Sequence, residues 1–176
     1  ILTLTKKQSV SKHVKVELEE LARHNVELLV KDVYNLCETA NDLIQQKMAG
    51  NLNVAHHTMG NFGSITNGDE FVDWEAVNQF DKSSQKLSLP KFKVGETWLG
   101  QNRNIAEYTP VVDETKKLVG GTCTIFQRMN EKGDMLRVAT NVEKQDGTRA
   151  IGTYIPATNP DGTPNPVVST VLSGRN

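Results

Sequence analysis

Residues 120–154, GGTCTIFQRMNEKGDMLRVATNVEKQDGTRAIGTY, constrain the fold more than any other part of the chain, because two β-prone runs flank a turn that carries its own punctuation. Residues 122–128 and 136–142 are rich in Thr, Ile, Val and Phe, and Gly133 between them suits the left-handed position of a hairpin loop. A three-residue loop over 131–133 with a following bulge sets Asn130 against Asp134, Phe126 against Val138 and Thr124 against Thr140. A four-residue loop slips this by one and sets Arg128 opposite Arg137, a repulsion that a bound anion or a nearby acid would relieve.

Side chains alternate along a strand, so Leu136, Val138, Thr140 and Val142 share one face and Arg137, Ala139 and Asn141 the other. The first face reads as core. The second mixes Arg137 and Asn141 with Cys123, Ile125 and Gln127, a composition suited either to a pocket wall or to a solvated surface. Asp146-Gly147 supplies a second turn, and residues 149–155 read as a third strand.

Upstream, residues 9–48 contain neither proline nor glycine, and apolar residues recur at intervals of three, four and seven from Val14, Leu18 and Leu21 through Leu28, Leu29, Val33 and Leu36 to Leu43, Ile44 and Met48. That spacing predicts an amphipathic helix ending near Gly50. About 40 residues at about 1.5 Å each span roughly 60 Å, more than a compact domain of this size needs. The excess points to a stalk that pairs with its mate in a homodimer, with Asn25 as a polar interruption of the seam. A helix broken in two and packed within one subunit is the alternative.

The rest of the chain is read more coarsely. Residues 51–70 read as loop and 72–80 as a short helix, 86–94 as a strand, and VVDETKKLV as a further helix. Residues 159–166 hold three prolines and a glycine and must be a loop; Asn165 and Pro166 then supply the N-cap and first turn of a helix over 167–172. At 176 residues the chain suits one domain.

Several function classes fall away. A net charge of −1 gives no field for nucleic acid or anionic lipid. No apolar run reaches the roughly 20 residues needed to cross a bilayer. GxSxG, P-loop, HExxH and dinucleotide glycine signatures are absent, which leaves catalysis without a home and implies no cofactor. His56 and His57, adjacent in a predicted loop, point apart, and His13 and His24, eleven residues apart on one helix, lie roughly 16 Å from each other, so neither pair chelates a metal. Cys37 and Cys123 fit no zinc or CxxC pattern; whether they pair is left to geometry.

The blocks GGTCTIFQRMN, GDMLRVATNV, DGTRAIGTYIP and NPVVSTVLSG, preceded by VDWEAVNQF, LPKFKVG and TWLGQN, run in an order that resembles Cache domains, specifically the Cache 3/Cache 2 fusion type, from about Val10 onward. Those are extracytoplasmic sensor domains of bacterial chemoreceptors and related membrane signalling proteins. The resemblance implies an α+β, PAS-like single sensor: a long N-terminal helix packed on an antiparallel sheet, with short helices and loops. It divides the chain into a stalk helix over 1–50 and a sensor core over 51–176, and it implies further strands beyond the VLSG helix.

It also implies a periplasmic location, attachment to the membrane only through helices outside this chain, and recognition of a small organic acid or amino-acid-like molecule. Trp98, Phe126, Arg128, Arg137, Asn141 and Tyr154 are the candidate ligand contacts: arginines for a carboxylate, aromatics to limit the cavity. A dimerisation and relay module with no ligand of its own is the competing reading, which a largely filled apolar pocket would favour.

Overall fold

The computed structural model describes residues 2–174 and, within them, the side chains of all but residues 2–5, 7 and 8. The chain divides into two compact units, residues 1–49 and 50–176. The first is helical throughout its described length and belongs to α1, which runs over Leu2–Phe62. Every side chain from residue 9 to 49 is exposed, including Leu21, Leu28, Leu29, Val33, Leu36 and Leu43 of the apolar stripe. Surface pairs one turn apart, His13 with Glu17 at 3.1 Å and Lys15 with Glu19 at 3.8 Å, add the small increments typical of helix faces.

In the second unit, residues 51–62 are not the expected loop. Gly50 does not end the helix: a mid-helix glycine costs only about 1 kcal/mol, and Val54, Ala55, Thr58 and Met59 form a face whose burial outweighs it. The helix stops at Gly63, whose backbone has φ 121° and whose N–H donates to the carbonyls of Met59 and Gly60. His56 and His57 therefore lie on helix, both exposed, and the described residues contain no cluster of His, Cys, Asp or Glu able to hold a metal. Cys37 and Cys123 are both free thiols.

Among the described residues one six-stranded sheet is formed by β1 (Ile65–Asn78), β2 (Ser84–Val94), β3 (Thr97–Trp98), β4 (Thr124–Arg128), β5 (Met135–Thr140) and β6 (Thr153–Ile155), in the order β3-β2-β1-β6-β5-β4. All neighbours are antiparallel except β1 and β6. With α2 (Val112–Val119) and α3 (Pro166–Leu172) this is the α+β, PAS-like arrangement expected. The helix predicted over 72–80 is instead the end of β1 and the start of the turn that follows it. Val72, Trp74 and Ala76 turn inward while Asp73 and Glu75 stay exposed, a period of two that pairing with β2 makes decisive.

The β4–β5 hairpin keeps the expected Thr124–Thr140 pair, whose hydroxyls lie 2.7 Å apart, but a bulge between Ile125 and Phe126 shifts the rest. Phe126 faces Arg137, not Val138, and Arg128 faces Met135, so neither proposed register holds to the turn. The reason lies in Asn130, whose Oδ1 accepts from the N–H groups of Gly133 and Asp134 and closes a four-residue loop under Met129 and Asp134. The core gathers Trp74, Ala76, Leu89, Val94, Leu99, Val111, Val112, Ile125, Leu136, Val138, Ala139, Ile151 and Tyr154. Asn165 caps α3 as predicted, accepting from Val167 and Val168, with Pro166 in the first turn.

Where α1 ends against β2, the backbones leave no room for a side chain. A Cβ at Gly95 (φ 58°) would sit 2.3 Å from the Phe62 carbonyl oxygen. Gly95→Ala is therefore expected to cost about 2 kcal/mol or more, read as a lowered denaturant midpoint with unchanged slope.

Candidate functional site

Arg128 and Arg137 flank the turn of the β4–β5 hairpin and Arg149 lies shortly after it, and the fold gives the three different employments. Arg128 is exposed and spent on its own turn, its Nε donating to the Asn130 carbonyl at 2.9 Å and its Nη2 to that of Glu131. Arg149, 1% exposed, is consumed internally. Its Nη1 and Nη2 clasp the Asp113 carboxylate at 2.9 and 2.7 Å, and the carbonyls of Asn104, Ile105, Glu107 and Thr140 accept its remaining N–H groups.

Arg137 is the exception. It is half-buried on β5, its guanidinium 5.5 Å from the centre of the Phe126 ring, and Nη1 donates to the Ala150 carbonyl at 3.2 Å. Its Nε is buried and has no partner, and no carboxylate forms an ion pair with it among the described residues. Burial disfavours its charge and moves its pKa down, although an arginine stays protonated under all ordinary conditions. A cation in partial burial with an unmet N–H and no counter-charge is the arrangement that an anion completes.

The other candidates fall elsewhere. Asn141 is buried and already committed, donating to the Val112 carbonyl at 2.7 Å and accepting from the Cys123 N–H at 2.9 Å, which pins α2 to the hairpin. Tyr154 pairs with Leu136, so it lies on the opposite face of the sheet from Arg137, the next residue along β5. Trp98 shares that second face: with Trp74, Phe92, Leu99, Gln127 and Val138 it lines a crevice too narrow for a water molecule, and its ring sits 4.8 Å from Lys91 Nζ. Arg137 and Phe126 are thus brought together; Trp98 and Tyr154 share the other face; Arg128 and Asn141 serve the hairpin.

A more open groove of about 510 Å³ lies along the β1–β2 ladder, lined by Asp73, Trp74, Glu75, Lys86, Leu87 and Ser88. Trp74 as a cavity wall and the bond between Arg149 and Asp113 escaped the sequence reading, and Gln127, expected on the face of Arg137, pairs with Leu136 and lines the crevice on the other face. Only the alternation of Val72, Trp74 and Ala76 carried a signal for the first. For Arg149 there was none, since its acceptors lie up to 45 positions earlier.

The Asp113 carboxyl is pushed up by burial, but its bonds from Arg149 and from the Thr109 N–H outweigh that and hold it below the usual carboxylate range. No helix among the described residues is long and apolar enough to cross a membrane. In comparisons with known proteins, the family model described as the Cache 3/Cache 2 fusion domain matches residues 11–176. No curated protein and no solved structure matches the chain.

Proposed function

The chain belongs to the Cache 3/Cache 2 fusion domain family, whose extracytoplasmic domains sense small molecules in signalling receptors, and on that premise we propose that it recognises a small organic acid at Arg137. The supporting observation is the unfilled guanidinium edge of Arg137 over Phe126. In water an exposed arginine needs no partner, but one held half-buried with an unmet N–H gains more from a carboxylate than from solvent. The role is sensory and involves no bond-making.

The relay follows the hydrogen bonds. The Arg137 carbonyl accepts from the Gly152 N–H, the Arg137 side chain donates to Ala150, and Gly152 in turn accepts from Val77 of β1. An acid that tightens the Arg137 side chain therefore biases the seam between β6 and β1. A shift between two states separated by a few kcal/mol suffices for a signal. In the receptor we place this domain on the periplasmic side of a bacterial inner membrane, in a chemoreceptor or a related transmembrane protein, with homodimerisation through α1.

The exposed apolar stripe of α1 supports the dimer. Leu36→Glu should convert a dimer to monomers in sedimentation analysis without changing the spectrum of the folded sheet; equal mass for both proteins would remove the stripe from the interface. The tight crevice behind Trp98 favours the second reading, a dimerisation and relay module with no ligand. Thermal unfolding against acetate, propionate, pyruvate, succinate and glutamate separates the two, because a ligand of the native state raises the melting temperature by mass action. A rise with at least one acid is expected; no rise with any of them on a cooperatively folded domain supports the relay module.

A further inference from the structure

Resting on the reading of Arg137 as the partner of a carboxylate, we propose that Thr153 selects among acids and that the site takes a short 2-hydroxy monocarboxylic acid. Met135 pairs with Ile155 in the antiparallel β5–β6 ladder, so two positions along each strand Arg137 and Thr153 share a face and stand opposite one another. The two side chains also meet on one atom: the Ala150 carbonyl oxygen accepts from Arg137 Nη1 at 3.2 Å and from Thr153 Oγ1 at 3.3 Å. A hydroxyl has one proton to give and two lone pairs. Thr153 has given its proton to Ala150 and accepts no hydrogen bond among the described residues, so what remains to it beside the guanidinium is the capacity to accept.

The chemistry of the ligand follows from that pairing of a donor with an acceptor. A carboxylate takes the donors of Arg137, and a hydroxyl on the adjacent carbon donates to Thr153 Oγ1, which the shared carbonyl keeps close to the guanidinium. A plain carboxylate leaves the threonine oxygen unmet once water is displaced, and a 2-oxo acid brings a second acceptor against it. The other neighbours are apolar: Phe126 opposite Arg137, Met135 two positions before it, Ile155, and Val77 paired with Thr153 all lie on this face and are half-buried. The hairpin's other cation on the face, Arg128 opposite Met135, is occupied by the carbonyls of Asn130 and Glu131, so a second carboxylate would go unpaired. One carboxylate, one hydroxyl and a short apolar tail match these side chains.

Titration calorimetry of lactate beside propionate, which lacks only the hydroxyl, reads the preference directly. The wild-type domain is expected to bind lactate about 5- to 10-fold more tightly than propionate. Thr153→Val removes the oxygen, so lactate should fall to the affinity of propionate while propionate is unchanged; Thr153→Ser keeps a hydroxyl and should keep the preference. Equal affinity of the wild type for the two acids, or no binding of either, overturns the proposal, as does a lactate preference that survives in a Thr153→Val protein with an unaltered melting transition. Arg137→Ala separates this inference from the reading beneath it. Loss of both acids is expected there, whereas an alanine variant that binds both as the wild type does removes Arg137 from the site, and the proposal with it, even if Thr153→Val abolishes the preference.

Discussion

Replacing Arg149 by alanine is expected to lower the melting temperature of the domain by roughly 10–20 °C, because breaking a buried ion pair by removing one partner costs about 3–5 kcal/mol. The change strips Asp113 of its bidentate partner and takes a charged donor from the carbonyls of Asn104, Glu107 and Thr140. Differential scanning calorimetry of the variant checks this, and a loss of under about 1 kcal/mol would mean that the cluster is held by packing. The same pair gives a pH signature. The folded Asp113 carboxyl lies below its ordinary value, so the stability it contributes is present above the unfolded pKa and is lost as pH falls through the folded one. Melting temperature should therefore drop on acidification below about pH 4, and less steeply in Asp113→Asn, which has no carboxyl to protonate.

Arg137 should behave in the opposite way. Arg137→Ala removes a half-buried charge that has no counter-ion, so the folding stability is expected to change by less than about 1 kcal/mol, whereas affinity for the cognate acid falls about 10- to 100-fold. Arg137→Lys should recover only part of the loss, since an ammonium lacks the planar fork and the stack on Phe126. Titration calorimetry of the three proteins reads both effects. An alanine variant that binds as tightly as wild type would take Arg137 out of the site, while one that fails to fold would show that the guanidinium is a structural element like Arg149. These two arginines, twelve positions apart on neighbouring segments, differ in one respect: one has found its carboxylate within the chain and the other has not.

What sequence conveys well is local chemistry. Asn165 before Pro166 predicts a capped helix and a capped helix is found, because the cap bonds reach only two and three residues on. The β4–β5 hairpin is legible for the same reason. β1 is hidden because its turn to β2 has no glycine: Lys82 takes the left-handed conformation at φ 62°, steadied by its own Nζ bond to the Gln79 carbonyl and by Asp81 accepting from Ser83. The passage of α1 through Gly50 is hidden because it depends on burial of Ala55 and Thr58, a tertiary effect. At the site, the residue types were readable and their partners were not. One bulge decides that Arg137 stacks on Phe126, and a fold-wide arrangement decides that Trp98 and Tyr154 stand on the far face.

If an acid completes the unmet N–H of Arg137, the Nε–H signal of that guanidinium, observed by nitrogen-15 NMR and assigned with Arg137→Lys, reports it. Titration with the acid that most raises the melting temperature should move this one signal saturably, in step with binding, and leave the Nε–H of Arg149 in place. An acid that stabilises the domain while the Arg137 signal stays fixed would contradict the account.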